Sequence, residues 1–286
     1  MSAYRIVTDS ACDLAPEILR DWQVDMVAMP YMFQDTGELH VDHDMPISAF
    51  YAQMRGGRVA KTSAVNVDAY DDLFKPLLEQ GLDILYVAFS SGLSATCANG
   101  KTAAAALEQH YPGRTIRVVD SLCASAGEGL FLYFAKENRD RGMSLKENAD
   151  ALEADKLHLC HWFTVDDLKY LKRGGRISPA TALLGTALNV KPVLHVDNDG
   201  HLIKVTQVHG RKKAIRTMAE HLGKSALKGS PVYISHGDCL GDAEYLARIV
   251  REEYGYETQI ITYVGALIGA HSGPGTLALF FRGTER

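Results

Sequence analysis

No stretch of the chain approaches the ~18 consecutive apolar residues that a membrane-spanning helix needs; the longest obvious greasy run is Leu130 to Ala135. Positive charge is not in surplus: 30 Lys and Arg stand against 35 Asp and Glu, for a formal net charge of −5. The protein's field therefore offers no footprint for a polyanion, which argues against DNA or RNA as partners. Cysteine is sparse and unpatterned. Cys12, Cys97, Cys123, Cys160 and Cys239 are odd in number and form no CxxC pair, so neither a disulfide framework nor a zinc knuckle is indicated. Ahead of Arg5-Ile6-Val7 there is no basic and then apolar leader, and the expectation is a cytoplasmic protein with reduced thiols.

What is present is a core-forming composition, 47% hydrophobic over 286 residues, enough for one large domain or two ordinary ones. Short β-rich runs at Tyr4 to Val7, Val24 to Met29, Ile84 to Phe89 and Thr115 to Val119 are separated by segments long enough for crossover helices. That spacing predicts a parallel sheet. Helices are expected at Ala15 to Trp22, Ile47 to Arg55, Asp68 to Gln80, Ala95 to His110 and Ala124 to Arg139, with a small hairpin around Asp35-Thr36-Gly37. Ser144-Leu145-Lys146-Glu147 reads as a capping box.

The second half is patterned differently. A strand from Leu157 through Val165 leads to a short helix ending at Gly174-Gly175 and to another opened by Ser178 and Pro179. Lys191 to Val196 and His201 to Val208 flank Asn198-Asp199-Gly200, a strong hairpin signal that makes this sheet mixed. Helix, strand, helix and strand follow at Lys212 to Leu222, Val232 to His236, Asp242 to Tyr254 and Thr258 to Val264. Gly265 to Gly275 is glycine-rich, and Leu277 to Phe281 is apolar. The fold class is α/β in two domains: an N-terminal parallel-sheet domain with flanking helices over 1–156 and a C-terminal mixed-sheet domain over 157–286.

Several chemistries lack their residues. The segments His40-Val41-Asp42-His43-Asp44 and His158-Leu159-Cys160-His161 raise a metal question. However, in an extended segment residues two apart share a face, so His158 and Cys160 point one way and His161 the other; there is no HExxH, and no metal site is expected. Asp9 follows the first strand as in phosphoaspartyl enzymes, yet Ala11 stands where those carry a second acid. Gly92-Leu93-Ser94-Ala95-Thr96 lacks the last glycine of a nucleophile elbow, and Lys172-Arg173-Gly174-Gly175-Arg176 lacks the spacing of a Walker loop.

In open parallel sheets ligands bind beyond the carboxyl ends of the strands. Ser90, Ser91, Ser94 and Thr96 lie there at the start of a helix, where one hydroxyl suffices for a cap and four exceed that need. Thr62-Ser63 precedes another helix, and His271 lies among Gly265, Gly269, Gly273 and Gly275, which suggests close backbone approach to something bound. Neutral donors, one histidine and helix N-termini describe a receptor for a small anionic head group more than a catalyst.

These segments together resemble the DegV family, bacterial fatty-acid-binding proteins that serve as the acyl-carrying subunit of fatty acid kinase. The resemblance runs from Val7-Thr8-Asp9-Ser10-Ala11-Cys12-Asp13-Leu14 to Gly269-Ala270-His271-Ser272-Gly273-Pro274-Gly275-Thr276. It passes through Lys61-Thr62-Ser63, Ser90-Ser91-Gly92-Leu93-Ser94, Val119-Asp120-Ser121, Leu168 to Ser178 and Asn189 to Leu194. It implies a long-chain fatty acid such as palmitate or oleate held between the domains and no cofactor. Thr62 and Ser94 would hold the carboxylate with His271 nearby, and Ser63, Ser91 and Gly92 are expected to join them. A separate kinase subunit would phosphorylate the carboxylate and feed phospholipid synthesis. Neutral hydroxyl donors would leave the carboxylate oxygens able to attack a phosphoryl group, and Arg173 and Arg176 are expected to face that partner or to cap their own helix. Two departures stand near the site: Ala64-Val65-Asn66 where the family usually has Gln-Pro-Ser, and Ala95 and Cys97 where it commonly has Gly and Tyr. The alternatives are a dihydroxyacetone-kinase type subunit holding a small carbonyl substrate on His271, and a ligand-sensing regulatory module.

Overall fold

Ile6, Val7, Thr8 and Asp9 are buried on both sides of the chain, as in a strand covered on both faces, and Tyr4–Asp9 forms β1 inside the first sheet. The computed structural model describes residues 3–42, 44–178 and 189–286; the helix expected from Ser178 and Pro179 lies outside them. In chain order α1 (Pro16–Asp21) and β2 (Val24–Val27) follow β1, and later β6 (Asp83–Ala88), α4 (Thr96–His110) and β7 (Ile116–Asp120) complete the first unit. Its sheet has the order β2-β1-β6-β7 and is parallel throughout, as the alternation of strand and helix requires.

Between β2 and β6 lies an excursion. β3 (Pro30–Phe33) and β4 (Leu39–Val41) form the expected hairpin, and α2 (Ile47–Arg55) follows. β5 (Ala60–Thr62) then adds to the other edge of β3, making a small antiparallel sheet, and α3 (Asp71–Glu79) leads back to β6. At three residues β5 is too short to show a two-residue alternation in sequence, yet it places Thr62.

The chain leaves the first sheet through α5 (Ala126–Asp140) and α6 (Leu145–Asp155), the latter opened by the reciprocal Ser144 and Glu147 capping bonds. The second sheet contains β8 (Leu159–Thr164), β9 (Val190–Val196), β10 (Leu202–His209), β11 (Val232–His236), β12 (Thr258–Tyr263) and β13 (Leu277–Arg282). Its order is β10-β9-β8-β13-β11-β12, with β11 and β12 parallel and the other pairs antiparallel. The last strand thus enters the middle of the sheet. α7 (Lys169–Arg173) follows β8, and α8 (Arg211–Ser225) and α9 (Leu240–Tyr254) cover the outer face.

Two packing features position the site. Helix α5 touches β1 and β6 of the first sheet and β8, β11 and β13 of the second, so it is wedged between them. Its glycines permit this: a Cβ at Gly129 would come within 2.8 Å of Leu14, and one at Gly127 within 2.7 Å of Phe280. The second feature is α10 (Ala266–Ser272), where no regular element was expected. It packs on α2, β3 and β5, burying Ala266, Leu267 and Ala270 in the N-terminal core. Among the described residues no helix is long and apolar enough to cross a membrane.

Candidate functional site

A cavity of about 310 Å³ lies beyond the carboxyl ends of β6 and β7, walled on the far side by the inner face of the second sheet. Most of its lining is apolar. Met29, Phe89, Leu93 and Ala124 come from the N-terminal half. Phe163 and Ala278, which pair across β8 and β13, come from the C-terminal sheet together with Phe280, and α10 adds Leu267 and Ile268. The volume falls in the range of ~300–1,000 Å³ common for ligand pockets.

Polar groups from four separate segments meet in this wall. Thr62 ends β5 and its Oγ1 lies 2.8 Å from Nε2 of His271 on α10, across 209 residues of chain. Ser94 lies 2.9 Å, Oγ to Oγ1, from Thr96 and accepts the Thr96 N–H at 3.2 Å, so it holds the first N–H of α4 in a short turn while lining the cavity. The segments carrying Thr62 and Ser94 are tied together, because Asn99 of α4 donates to Val65 O at 2.7 Å and Val65 N–H donates to Thr96 Oγ1 at 3.4 Å. Ala64 and Ala95, two of the departures from the usual motifs, line the cavity; Cys97 is buried outside it.

Arg176 is the fourth contributor and corrects an expectation. Its guanidinium turns inward, donating from Nε and Nη2 to Leu93 O at 3.1 and 2.9 Å, and the side chain forms part of the cavity wall. Gly175 adopts φ +71°, which reverses the chain after α7 and folds Arg176 over the Ser90 to Ser94 loop. The site is therefore not made of neutral donors alone. Arg173 stays exposed, its guanidinium 5.1 Å above the Tyr170 ring.

Burial, reinforced by the charges of Arg176 and Arg173, pushes the His271 pKa down to about 4, so the ring is neutral at pH 7. Its Nδ1 has no hydrogen-bond partner among the described residues and faces Gly174, where a Cβ would come within 2.1 Å.

The remaining expected site residues lie outside the cavity lining. Ser63 follows the strand alternation outward to solvent, with its N–H on Pro30 O. Ser91 is exposed and its N–H donates to Asp120 Oδ1. Gly92 is pressed on the β9–β10 turn, where a Cβ would stand 2.6 Å from Asp199 O. The glycines around His271 also find another explanation, since they approach the protein's own side chains: Cβ atoms at Gly269 and Gly273 would meet Tyr51 Oη at 2.6 Å and the Tyr170 ring at 2.3 Å.

Asp9 is structural in its bonding. Its carboxylate accepts from Tyr86 Oη, Phe89 N and Ala11 N, and burial pushes its pKa up to about 6. Among the described residues one cluster has metal-ligand spacing, Asp197, Asp199 and His201 on the β9–β10 turn, with ligand atoms within 4.8 Å of one another. Asp197 Oδ1 is already used by the N–H groups of Asp199 and His201. His158 and Cys160 instead bond the backbone carbonyls of Gly283 and Glu285, and His43 lies outside the described residues.

A family model described as an uncharacterised protein of the DegV family matches residues 3–284. The chain belongs to the DegV family. A DegV domain-containing protein of Clostridium perfringens is 38% identical over 289 residues, covering 100% of this chain and 99% of its own. Two solved DegV structures superpose along the whole molecule. One, from Thermus thermophilus, is described by its fatty acid binding and has a TM-score of 0.87 at 28% identity, covering 98% of this chain and 99% of the other. The second, a fatty acid binding DegV protein of Bacillus subtilis, has a TM-score of 0.85 at 27% identity, covering 99% and 100%. As in these DegV structures, an N-terminal parallel sheet and a C-terminal mixed sheet build the fold. The apolar wall of this DegV chain is what the sequence did not disclose, because its residues come from both sheets and α10. Leu267, Ile268 and His271, spaced three and four apart, are the only local signal that could have joined part of it.

Proposed function

We propose that this chain is a non-enzymatic carrier that buries a long-chain fatty acid, such as palmitate or oleate, between its two sheets and presents the carboxylate to a separate fatty acid kinase subunit. The observation that carries the reading is a largely apolar cavity whose wall brings Thr62, Ser94, His271 and Arg176 together. Some fifteen methylenes at ~0.8 kcal/mol each supply on the order of 10 kcal/mol before losses, while each hydrogen bond to the carboxylate adds ~1.5–3 kcal/mol. Hydrocarbon burial then sets affinity, and the polar residues set orientation. With the neutral His271 ring donating from Nε2 to Thr62 Oγ1, the Thr62 hydroxyl proton is free for one carboxylate oxygen. Ser94 and Arg176 serve the other. The kinase converts the held carboxylate to an acyl phosphate for phospholipid synthesis, and Arg173, exposed at the end of α7, meets that partner. In this reading the carrier works in the cytoplasm without a cofactor, and its domains divide at 156/157. The mostly apolar lining favours an acyl ligand over a small carbonyl substrate held on His271.

Mass spectrometry of gently purified protein tests the proposal: a co-purified long-chain fatty acid is expected. Protein that is ligand-free as isolated and also ignores added oleate and palmitate overturns it. Capture of a fatty acid kinase catalytic subunit on the loaded carrier tests the partner, and no capture with or without ligand removes it.

A further inference from the structure

The cavity wall contains a second set of polar side chains that carboxylate binding leaves unused. Ser125 from the turn before α5, Ser235 near the end of β11 and His161 of β8 all line it, and each is at most 4% exposed. Ser125 Oγ bonds Asp13 Oδ2 and lies 2.9 Å from Ser235 Oγ, which makes a chain of hydroxyls backed by a buried carboxyl. Ser125 holds its place at φ 56°, ψ −149°, a backbone region that residues with a side chain rarely adopt. None of these residues hydrogen-bonds to Thr62, Ser94, Arg176 or His271.

His161 defines what this part of the wall lacks. Its Nδ1 lies 3.0 Å from Leu159 O. A carbonyl oxygen only accepts, so Nδ1 carries the proton. Burial holds the ring well below the usual histidine range and therefore neutral. Nε2 is then a bare acceptor, and it has no hydrogen-bond partner among the described residues. On its other side the ring packs against α5 at Gly127, where a Cβ would come within 2.3 Å of Nε2. Ser272 Oγ, of a residue in the cavity wall, also has no partner among the described residues. A saturated hydrocarbon laid along such a wall leaves the acceptor unpaired, which is costly in a dry interior.

We propose that the preferred ligand of this chain is a hydroxylated long-chain fatty acid whose chain hydroxyl donates to His161 Nε2 beside Ser125 and Ser235. The inference rests on the fatty-acid reading above and specifies the ligand class. It also makes a chemical distinction. A hydroxyl can donate to Nε2, whereas a ketone at the same carbon cannot.

The test is displacement of a fluorescent fatty acid from the delipidated full chain by stearate, by hydroxystearates with the hydroxyl moved stepwise along the chain, and by the matching ketostearates. At least one hydroxystearate is expected to bind about tenfold more tightly than stearate, with its keto counterpart no tighter than stearate. His161→Leu should bring that ratio to about one, and Ser235→Ala, a smaller change, should lower it. Hydroxystearates that all bind no better than stearate, or a ketone that matches its alcohol, overturn the inference and leave the carrier function standing. Failure of every ligand, stearate included, overturns both.

Discussion

Around His271 the nearest titratable groups are the cations Arg176 and Arg173, whereas behind Ser125 stand the buried carboxyls of Asp13, Glu128 and Asp9. Desolvation acts on both groups and in each disfavours the charged form. It pushes the imidazole down to about 4, and it pushes the carboxyls of Asp13 and Glu128 well above their ordinary values. Among the described residues that line the cavity, Arg176 is then the one Lys, Arg, Asp or Glu side chain. On the readings proposed above, a cavity with one cation and two sets of uncharged polar groups would orient an anionic head at one place and leave the other for uncharged oxygen. Strain falls on the second set, at Ser125, while the first uses an ordinary hydroxyl-to-backbone turn at Ser94.

The largest effect is expected at the head group. Thr62→Val and Ser94→Ala each remove one donor to a carboxylate, worth ~1.5–3 kcal/mol, and together should weaken acyl binding by about 100-fold or more and misplace what still binds. Unchanged phosphorylation of the ligand by a fatty acid kinase subunit in the double variant would show that other residues hold the carboxylate. Arg176→Met should weaken binding about tenfold or more at low salt, by loss of the cation and of its brace on Leu93. Equal affinity for a fatty acid and its uncharged alcohol in the wild type would remove that role.

The opposed shifts predict opposed pH windows. The His271 pKa is lowered from 6.5 to about 4 on folding, so its stabilising contribution is whole above 6.5 and is lost as pH falls toward 4. The Asp9 pKa is raised from 3.8 to about 6, so its contribution is whole below 3.8 and is lost as pH rises through 6. Urea unfolding across pH 4 to 7 should therefore show His271→Asn less sensitive to acid than wild type and Asp9→Asn less sensitive to the rise. Each difference is at most about 3 kcal/mol. Curves parallel to wild type would mean that these groups are not held neutral. The smallest effects are expected at Ser63→Ala and Ser91→Ala, exposed outside the cavity, where ligand affinity should change by less than about twofold. A larger loss at either would return these residues to the site.

The proposed head-group residues were legible because they sit in short motifs at the ends of elements: Thr62 at the end of β5, Ser94 before α4, His271 ahead of Gly273 and Gly275. Arg176 was legible as a basic residue after two glycines, yet its direction was not. The turn at Gly175 decides whether the side chain points to solvent or to Leu93, and composition cannot tell the two apart. Ser125, Ser235 and His161 carried no signal, since a serine before a helix and a histidine in a strand are ordinary locally. They become a set only when β8, β11 and the turn before α5 meet.

Local physics, acting over a few residues, already determined the alternation of strands and helices, the Ser144 cap, the β9–β10 turn, the α/β class and the absence of long apolar spans in this chain. The tertiary structure alone decided that β13, last in sequence, lies between β8 and β11, and that α10 leaves its own half to pack on β5. The reason is physical. Cavity and polar groups are products of long-range packing, in which contacts such as Thr62 to His271 form only after the chain between them has folded, and no window of sequence contains both partners.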